Sequence, residues 1–380
     1  MALLLALICL AIWLYLLLGR GFFWLAAQRD DWPLPTLSAW PRVAAVIPAR
    51  NEADCIVETV RSLLGQAYPG EWTIILVDDE STDGTAERAR DAARHQAERL
   101  RVATSQPLPS GWTGKLWAQK QGIDAALAMP EPPTYLLLTD ADIVYQPDVL
   151  ARLVARAEEG RLVLTSLMVK LRCTSFAERS LIPAFIFFFQ MLYPFAWVGA
   201  PNNRTAAAAG GCMLVRADAL RAAGGIETIR NALIDDCALA AVMKRQGPIS
   251  LGLTERVRSI RPYPDFGEIR RMVSRSAYAQ LKYSPLVLAG TVLGMALTYL
   301  APPLLAFFAS GSARLIGIAT WILMALAFVP TLRFYRLSPA WAVALPAIAF
   351  AYLLFTLDSA WQYARGKGGM WKGRAQANGA

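Results

Sequence analysis

Hydrophobic and polar positions divide the chain into three stretches. At the start, Ala2–Leu18 is continuously apolar, with no Lys or Arg before it and Arg20 just after it. A secretory signal would carry a basic start and a small-residue cleavage site, so the pattern predicts an uncleaved membrane anchor over residues 1–20. In the middle, Val43–Pro48, Thr73–Asp78 and Tyr135–Asp140 are short apolar runs of mostly β-favouring residues, the pattern of strands buried on both faces. Helical patterns separate them, over about Ala53–Gln66, Thr85–Arg99 and Lys115–Ala128. This alternation predicts an α/β fold with a Rossmann-like, mostly parallel sheet and helices on both faces. A ligand then belongs beyond the C-terminal ends of the strands, where the polar motifs fall.

At the end, Ser284–Leu357 carries only Arg314, Arg333 and Arg336 as charges. They divide it into Pro285–Ala309, Leu315–Thr331 and Ala340–Leu357, each near the ~17–25 residues that cross a bilayer. The aromatic stretch Leu181–Ala200 is long enough to span, but Pro183, Gln190 and Pro194 interrupt it, and an interfacial helix is the preferred reading. The expected organisation is an anchor at 1–20, an α/β domain at 40–283 with interfacial helices near 180–200 and 265–283, membrane segments at 284–360 and a basic tail at 361–380. Arg20 and Arg29 place the α/β domain on the cytoplasmic side under the positive-inside rule. Four simple crossings would put Arg365, Lys367, Lys372 and Arg374 outside, against that rule, unless one apolar segment is re-entrant.

Composition sharpens this picture. Of 380 residues, 55% are hydrophobic and 18% charged, which excludes a disordered chain, collagen or a small disulfide scaffold. Five cysteines (Cys9, Cys55, Cys173, Cys212, Cys237) lack metal-ligand spacing and suit a reducing compartment. A single histidine, His95, argues against His-metal sites and Ser-His-Asp hydrolysis. Acid–base chemistry falls to carboxylates. The net charge is +9, but from Thr254 onward the chain holds 14 Lys/Arg against 4 Asp/Glu, a net +10. The excess flanks the apolar end and suits lipid headgroups. A nucleic-acid partner is not expected, because the polar domain has no basic excess.

Three strand ends carry the chemistry. The first runs Ile47-Pro48-Ala49-Arg50-Asn51-Glu52, with donors for a base or phosphate. The second is Asp78-Asp79-Glu80-Ser81-Thr82-Asp83, where four acids would repel one another unless a cation or hydrogen-bond donors meet them. Ser81, Thr82 or Asp83 can cap the next helix; Asp78 and Asp79 are not needed for that. The next is Thr139-Asp140-Ala141-Asp142, a D-x-D pair suited to a hard divalent cation carrying a diphosphate. Together they predict a metal–nucleotide site.

These motifs, with G-K-L-W-A-Q-K-Q-G around Lys115, Gly210-Gly211-Cys212-Met213 and Asp235-Asp236, resemble those of family 2 glycosyltransferases of the GT-A fold, over Val43 to about Lys282. The resemblance implies that 40–283 is a GT-A catalytic domain. It assigns the nucleotide-sugar donor to Pro48, Ala49, Arg50, Glu52, Asp78, Asp79, Lys115 and Asp140, and Mg²⁺ or Mn²⁺ to Asp140 and Asp142. The acceptor falls to Gly210, Gly211 and Cys212. The base falls to Asp236, with Asp235 standing where the family usually has Glu and so remaining a second candidate. Membrane-bound relatives carry Q/R-x-x-R-W; the nearest match, Met272-Val273-Ser274-Arg275-Ser276, keeps only Arg275, which implies contact with the diphosphate and no polymer extrusion. Over nearly the whole chain the sequence is most similar to bacterial hopene-associated glycosyltransferases, on S-G-W-T-G-K-L-W-A (110–118), P-N-N-R-T-A-A-A-A-G-G-C (201–212) and S-R-S-A-Y-A-Q-L (274–281). That implies a multi-pass enzyme of the bacterial cytoplasmic membrane, a UDP-sugar donor and a hopanoid-like lipid acceptor. A polyprenyl-phosphate glycosyltransferase is the alternative. A transporter with a nucleotide-sensing domain is disfavoured, because the apolar segments lack ionisable residues apart from Asp358 at their end.

Overall fold

The computed structural model describes residues 1–32, 37–366, 370–371 and 374–375. Lys367 and Lys372 of the expected basic tail lie outside the described residues. The chain divides into two units, one formed by Met1–Ala27, Cys173–Ala196 and Pro262–Gly369, the other by Gln28–Arg172, Trp197–Arg261 and Met370–Ala380.

The second unit is built on eight strands: β1 (Val43–Ala49), β2 (Trp72–Asp78), β3 (Leu100–Thr104), β4 (Tyr135–Leu138), β5 (Ile143–Tyr145), β6 (Leu164–Lys170), β7 (Met213–Arg216) and β8 (Ile249–Ser259). They form one sheet in the order β3-β2-β1-β4-β7-β6-β8-β5. β3, β2, β1 and β4 run parallel, as the strand–helix alternation predicts. The other half is mixed, because β7 pairs antiparallel with both β4 and β6, and β5 pairs antiparallel with β8. All seven positions of β1 are buried, as a strand covered on both faces requires. Pro48 lies beyond the stretch of β1 that pairs with β4, which ends at Val46, so its missing N–H costs that pairing nothing.

The crossover helices are Ile56–Leu64, Thr85–Ala92 and Gly114–Leu127. The helix expected over Thr85–Arg99 stops at Ala92 and continues as a 3₁₀ stretch, Arg94–Arg99, interrupted by non-helical Gln96. Gly122 shows how closely helix and sheet approach, since a Cβ there would come within 2.5 Å of the Val46 side chain.

In the first unit, Pro285–Phe308, Gly311–Phe334 and Pro339–Ala364 are long and apolar enough to cross a membrane, and Ala2–Leu18 is a shorter apolar helix. In the first of these a π-helical turn, Ala296–Leu300, stands just ahead of Pro302-Pro303. Such a turn displaces backbone carbonyls from the regular ladder, and Trp13 Nε1 donates to the Thr298 carbonyl at 2.7 Å. The aromatic stretch expected near 180–200 forms the helix Phe176–Leu192 and the short Phe195–Gly199. Its part in this unit packs edge-on against the long helices, with Phe187 on Phe328 and Phe188 on Tyr352, centroids 5.3 and 5.1 Å apart. That aromatic burial explains why this helix groups with the apolar helices and not with the sheet.

Candidate active site

The ends of β1 and β2 are stapled together. The Asp79 amide donates to the Ala49 carbonyl at 2.8 Å, the Asn51 amide to Ser81 Oγ at 2.9 Å, and the Ala53 amide to Asp83 Oδ2 at 3.0 Å. Asn51 and Glu80 both adopt positive φ, 51° and 54°, a conformation stored in loops that surrounding contacts hold in place. The acidic run finds the partners it needs. Arg50 Nη1 lies 3.4 Å from Asp79 Oδ2 and 3.8 Å from Glu80. At Asp83, burial opposes ionisation, but hydrogen bonds from Thr85 and Ala53 outweigh it and hold the carboxyl below its usual range. Asp78 differs, being buried with an Oδ1 that has no hydrogen-bond partner. Pro48 and Ala49 are buried in the strand, so their part is to end it correctly; no Ala49 side-chain atom is displayed to a ligand.

The D-x-D carboxylates face different partners. Asp140 is 34% exposed, and its Oδ1 lies 2.9 Å from Lys115 Nζ. Asp142, expected beside it as a metal ligand, instead turns its Oδ2 to Ser259 Oγ at 2.8 Å and Arg261 Nε at 3.1 Å. The cause is β8, whose last residue Ser259 stands opposite Ile143. Glu52 likewise meets Arg261, whose Nη2 reaches both of its oxygens at 2.8 Å.

Lys115 connects Asp140 to Asp235, the second candidate for the base. It sits in the first turn of the helix Gly114–Leu127, which Thr113 caps by accepting from the Leu116 amide. Its ammonium lies 3.0 Å from Asp235 Oδ2 as well as against Asp140. Burial alone would favour the neutral amine, but the two carboxylates outweigh it and hold Lys115 protonated well above the usual lysine range.

Asp235 and Asp236 open the helix Asp235–Met243, where a helix N-terminus favours negative charge. Asp236 accepts from the Gly210 amide at 3.0 Å through Oδ2 and from the Cys237 amide at 2.7 Å through Oδ1. Burial, then the charge of Asp235, pushes its carboxyl up to about 6, against the lowering influence of Lys115 and the two amides. A carboxylate titrating near neutrality is poised for proton transfer.

Gly210 closes this cluster, since a Cβ there would lie 3.3 Å from Lys115 Nζ and 3.6 Å from Asp236 Oδ2. Gly211 is clamped from behind, its carbonyl accepting from Thr139 Oγ1 and from Tyr145 Oη, both at 2.9 Å. Cys212, expected to meet the acceptor, does not face the site. Its side chain is fully buried in the core and burial pushes its thiol up to about 12. Arg275 belongs to the first unit, where it is the exposed residue following the helix Phe266–Ser274.

Two site residues escaped the sequence reading. Tyr145 carried a signal, because a tyrosine in a buried strand needs a partner for its hydroxyl. Arg261 carried none, since its partners come from β1 and β4 loops far away in the chain.

Among the described residues no group of three or more His, Cys, Asp or Glu side chains is gathered as a metal cage. Mg²⁺ and its analogues rarely need one, being held by one or two carboxylates together with substrate phosphates and water. Asp140, a partly exposed hard-oxygen donor at a strand end, fits that role. Asp142 engages Ser259 and Arg261 through Oδ2.

Family models match most of the chain, Glycosyl transferase family 2 over residues 44–224 and Glycosyl transferase family group 2 over residues 135–355. The undecaprenyl-phosphate 4-deoxy-4-formamido-L-arabinose transferase of Salmonella paratyphi A is 33% identical over 124 residues, 31% of this chain and 34% of its own length. The chain thus spans about a third of that relative. A mannosyltransferase from Pyrobaculum calidifontis, PcManGT, solved with GDP-Man and Mn²⁺, aligns over 96% of this chain and 99% of its own, with a TM-score of 0.54 and 19% identity. That likeness shows the GT-A-like arrangement of the sheet. The chain belongs to glycosyl transferase family group 2.

Proposed function

We propose that the protein transfers a sugar from a nucleotide-sugar donor, with inversion at the sugar carbon, to a lipid hydroxyl at the cytoplasmic membrane face. The observation that carries this reading is Asp236, a carboxylate raised to about 6 and aimed by the Gly210 and Cys237 amides. It stands beside the Lys115–Asp140 pair at the end of the parallel strands. Asp236 removes the acceptor's proton as its oxygen attacks. A single base opposite the leaving group gives in-line displacement. Asp78, Asp79 and the Arg50–Glu52 loop bind the nucleotide, and Lys115 offers its ammonium to the diphosphate. Asp140 would hold Mg²⁺ or Mn²⁺, which supplies charge neutralisation for the departing diphosphate. Gly210 and Gly211 are proposed as the acceptor side.

The proposed donor is a UDP-sugar and the proposed acceptor a hopanoid-like lipid. The proposed setting is a bacterial cytoplasmic membrane, with 40–283 catalytic and 1–20 and 284–360 in the bilayer; the apolar helices and the arginines at 20 and 29 support it. The Salmonella relative favours a second reading, an undecaprenyl-phosphate acceptor. A phosphate oxygen is already ionised and needs no strong base. The test is a panel of nucleotide sugars incubated with purified protein and either a hopanoid alcohol or undecaprenyl phosphate, following nucleoside diphosphate release. Release that depends on the alcohol and on Asp236 supports the first reading. Release that depends on the lipid phosphate and survives Asp236→Asn establishes the second.

A further inference from the structure

Three consecutive residues at the end of β8 fasten the D-x-D turn. Ser259 Oγ donates to Asp142 Oδ2 at 2.8 Å, the Ile260 amide to the Asp142 carbonyl at 3.0 Å, and Arg261 Nε to Asp142 Oδ2 at 3.1 Å. The other end of the same guanidinium donates to both oxygens of Glu52. Glu52 and Asp142 are 8% and 7% exposed, so each would be a costly buried anion without a cation against it. One planar fork serves both, with its donors at fixed angles; a lysine ammonium, a single point charge, cannot hold two carboxylates in that geometry.

The position of this fork matters. Glu52 closes the loop that also carries Arg50 and, through Asn51, is stapled to Ser81 and Thr82. Asp142 stands two residues after Asp140, whose carboxylate faces Lys115. The guanidinium therefore spans from the nucleotide loop to the diphosphate-facing turn. We infer that Arg261 is a positioning residue for donor binding, tying Glu52 to Asp142 and so fixing where the nucleotide loop and Asp140 stand relative to one another. Asp142 then acts through Arg261 and not as a direct ligand. This inference rests on the donor-site reading above.

The experiment uses full-length protein in detergent. Uridine and guanosine diphosphate are titrated calorimetrically, with Mn²⁺ and separately with EDTA, into the unmodified protein, Arg261→Lys and Arg261→Ala, beside thermal unfolding and acceptor KM. Arg261→Lys should melt close to the unmodified protein, bind the diphosphate roughly 10–100-fold more weakly and keep its acceptor KM. Free guanidinium, well below denaturing concentration, should restore part of the affinity of Arg261→Ala. Unchanged affinity in both variants overturns the inference, and so does a loss that guanidinium does not restore and that tracks a lowered melting temperature. If Arg261→Ala does not fold, Arg261→Lys decides alone. Failure of the unmodified protein to bind either diphosphate is a separate outcome, and it removes the donor-site reading together with this inference.

Discussion

The Gly210 amide donates to Asp236 Oδ2 at 3.0 Å, so the glycine that leaves space beside the carboxylate also aims it. Gly210→Ala tests the space apart from the bond. The added Cβ would lie 3.3 Å from Lys115 Nζ, the far end of a long side chain that needs to give only slightly, so the fold should survive while the cleft in front of Asp236 narrows. We expect an unchanged melting temperature, with acceptor turnover falling roughly 10-fold or more, on the scale of a small misplacement of reacting groups. Turnover equal to the unmodified protein would remove Gly210 from the acceptor side.

As the proposed base, Asp236 should set the pH dependence. Its folded value of about 6 lies above the ordinary 3.8, and a base works only when deprotonated. The rate constant kcat/KM should therefore rise with pH through about 6 and level above it. Asp236→Asn should abolish that limb and lower turnover by roughly 10²–10⁴-fold, while nucleotide affinity persists. A retained acid limb in Asp236→Asn would move the base to Asp235.

How much of this could be read in the sequence follows from which interactions are local. β1, β2 and β4 are buried on both faces, so their apolar runs stand out, and Asp78 and Asp140 at their ends were legible with them. β8 was not, because Thr254, Glu255 and Arg256 interrupt its apolar positions and part of it is solvent-facing. Missing β8 meant missing Arg261, and with it the pairing of Asp142 with that guanidinium. Cys212 was misplaced for a related cause. In an extended segment neighbouring side chains point to opposite faces, and only the paired sheet decides which face is the core.

Asp140→Asn should leave folding and membrane insertion intact and lower transfer by roughly 10²-fold or more, since loss of metal assistance costs several kcal/mol of transition-state stabilisation. The same substitution also strips Lys115 of one of its two carboxylates. Chelation separates the two effects. Undiminished turnover of the unmodified protein in excess EDTA would assign the whole loss to Lys115.

Stability of the first unit should depend on Trp13. Its indole N–H satisfies the Thr298 carbonyl at the π-turn, and an acceptor left unpaired in apolar surroundings costs about 1–3 kcal/mol. Trp13→Phe keeps the aromatic edge against Tyr299 but removes the donor, so thermal unfolding in detergent should shift downward. An unmoved melting temperature would show that the carbonyl finds another donor.

Asp78 should behave oppositely in stability and in binding. It is buried at the end of β2, and its Oδ1 has no hydrogen-bond partner. A buried carboxylate oxygen left unpaired is a cost to the free protein, one that a donor hydroxyl or base N–H from the nucleotide would relieve. Asp78→Asn removes the charge at nearly constant volume. The free protein should therefore melt no lower than the unmodified one, while nucleoside diphosphate affinity falls roughly 10-fold, the scale of one charge-assisted hydrogen bond. Turnover at saturating donor should change far less than affinity, because a residue proposed to bind the nucleotide would act before the chemical step. Calorimetry and thermal unfolding on the same preparation check both halves. A variant that melts markedly lower and binds normally would make Asp78 a structural carboxylate, and the nucleotide contact would pass to Asp79.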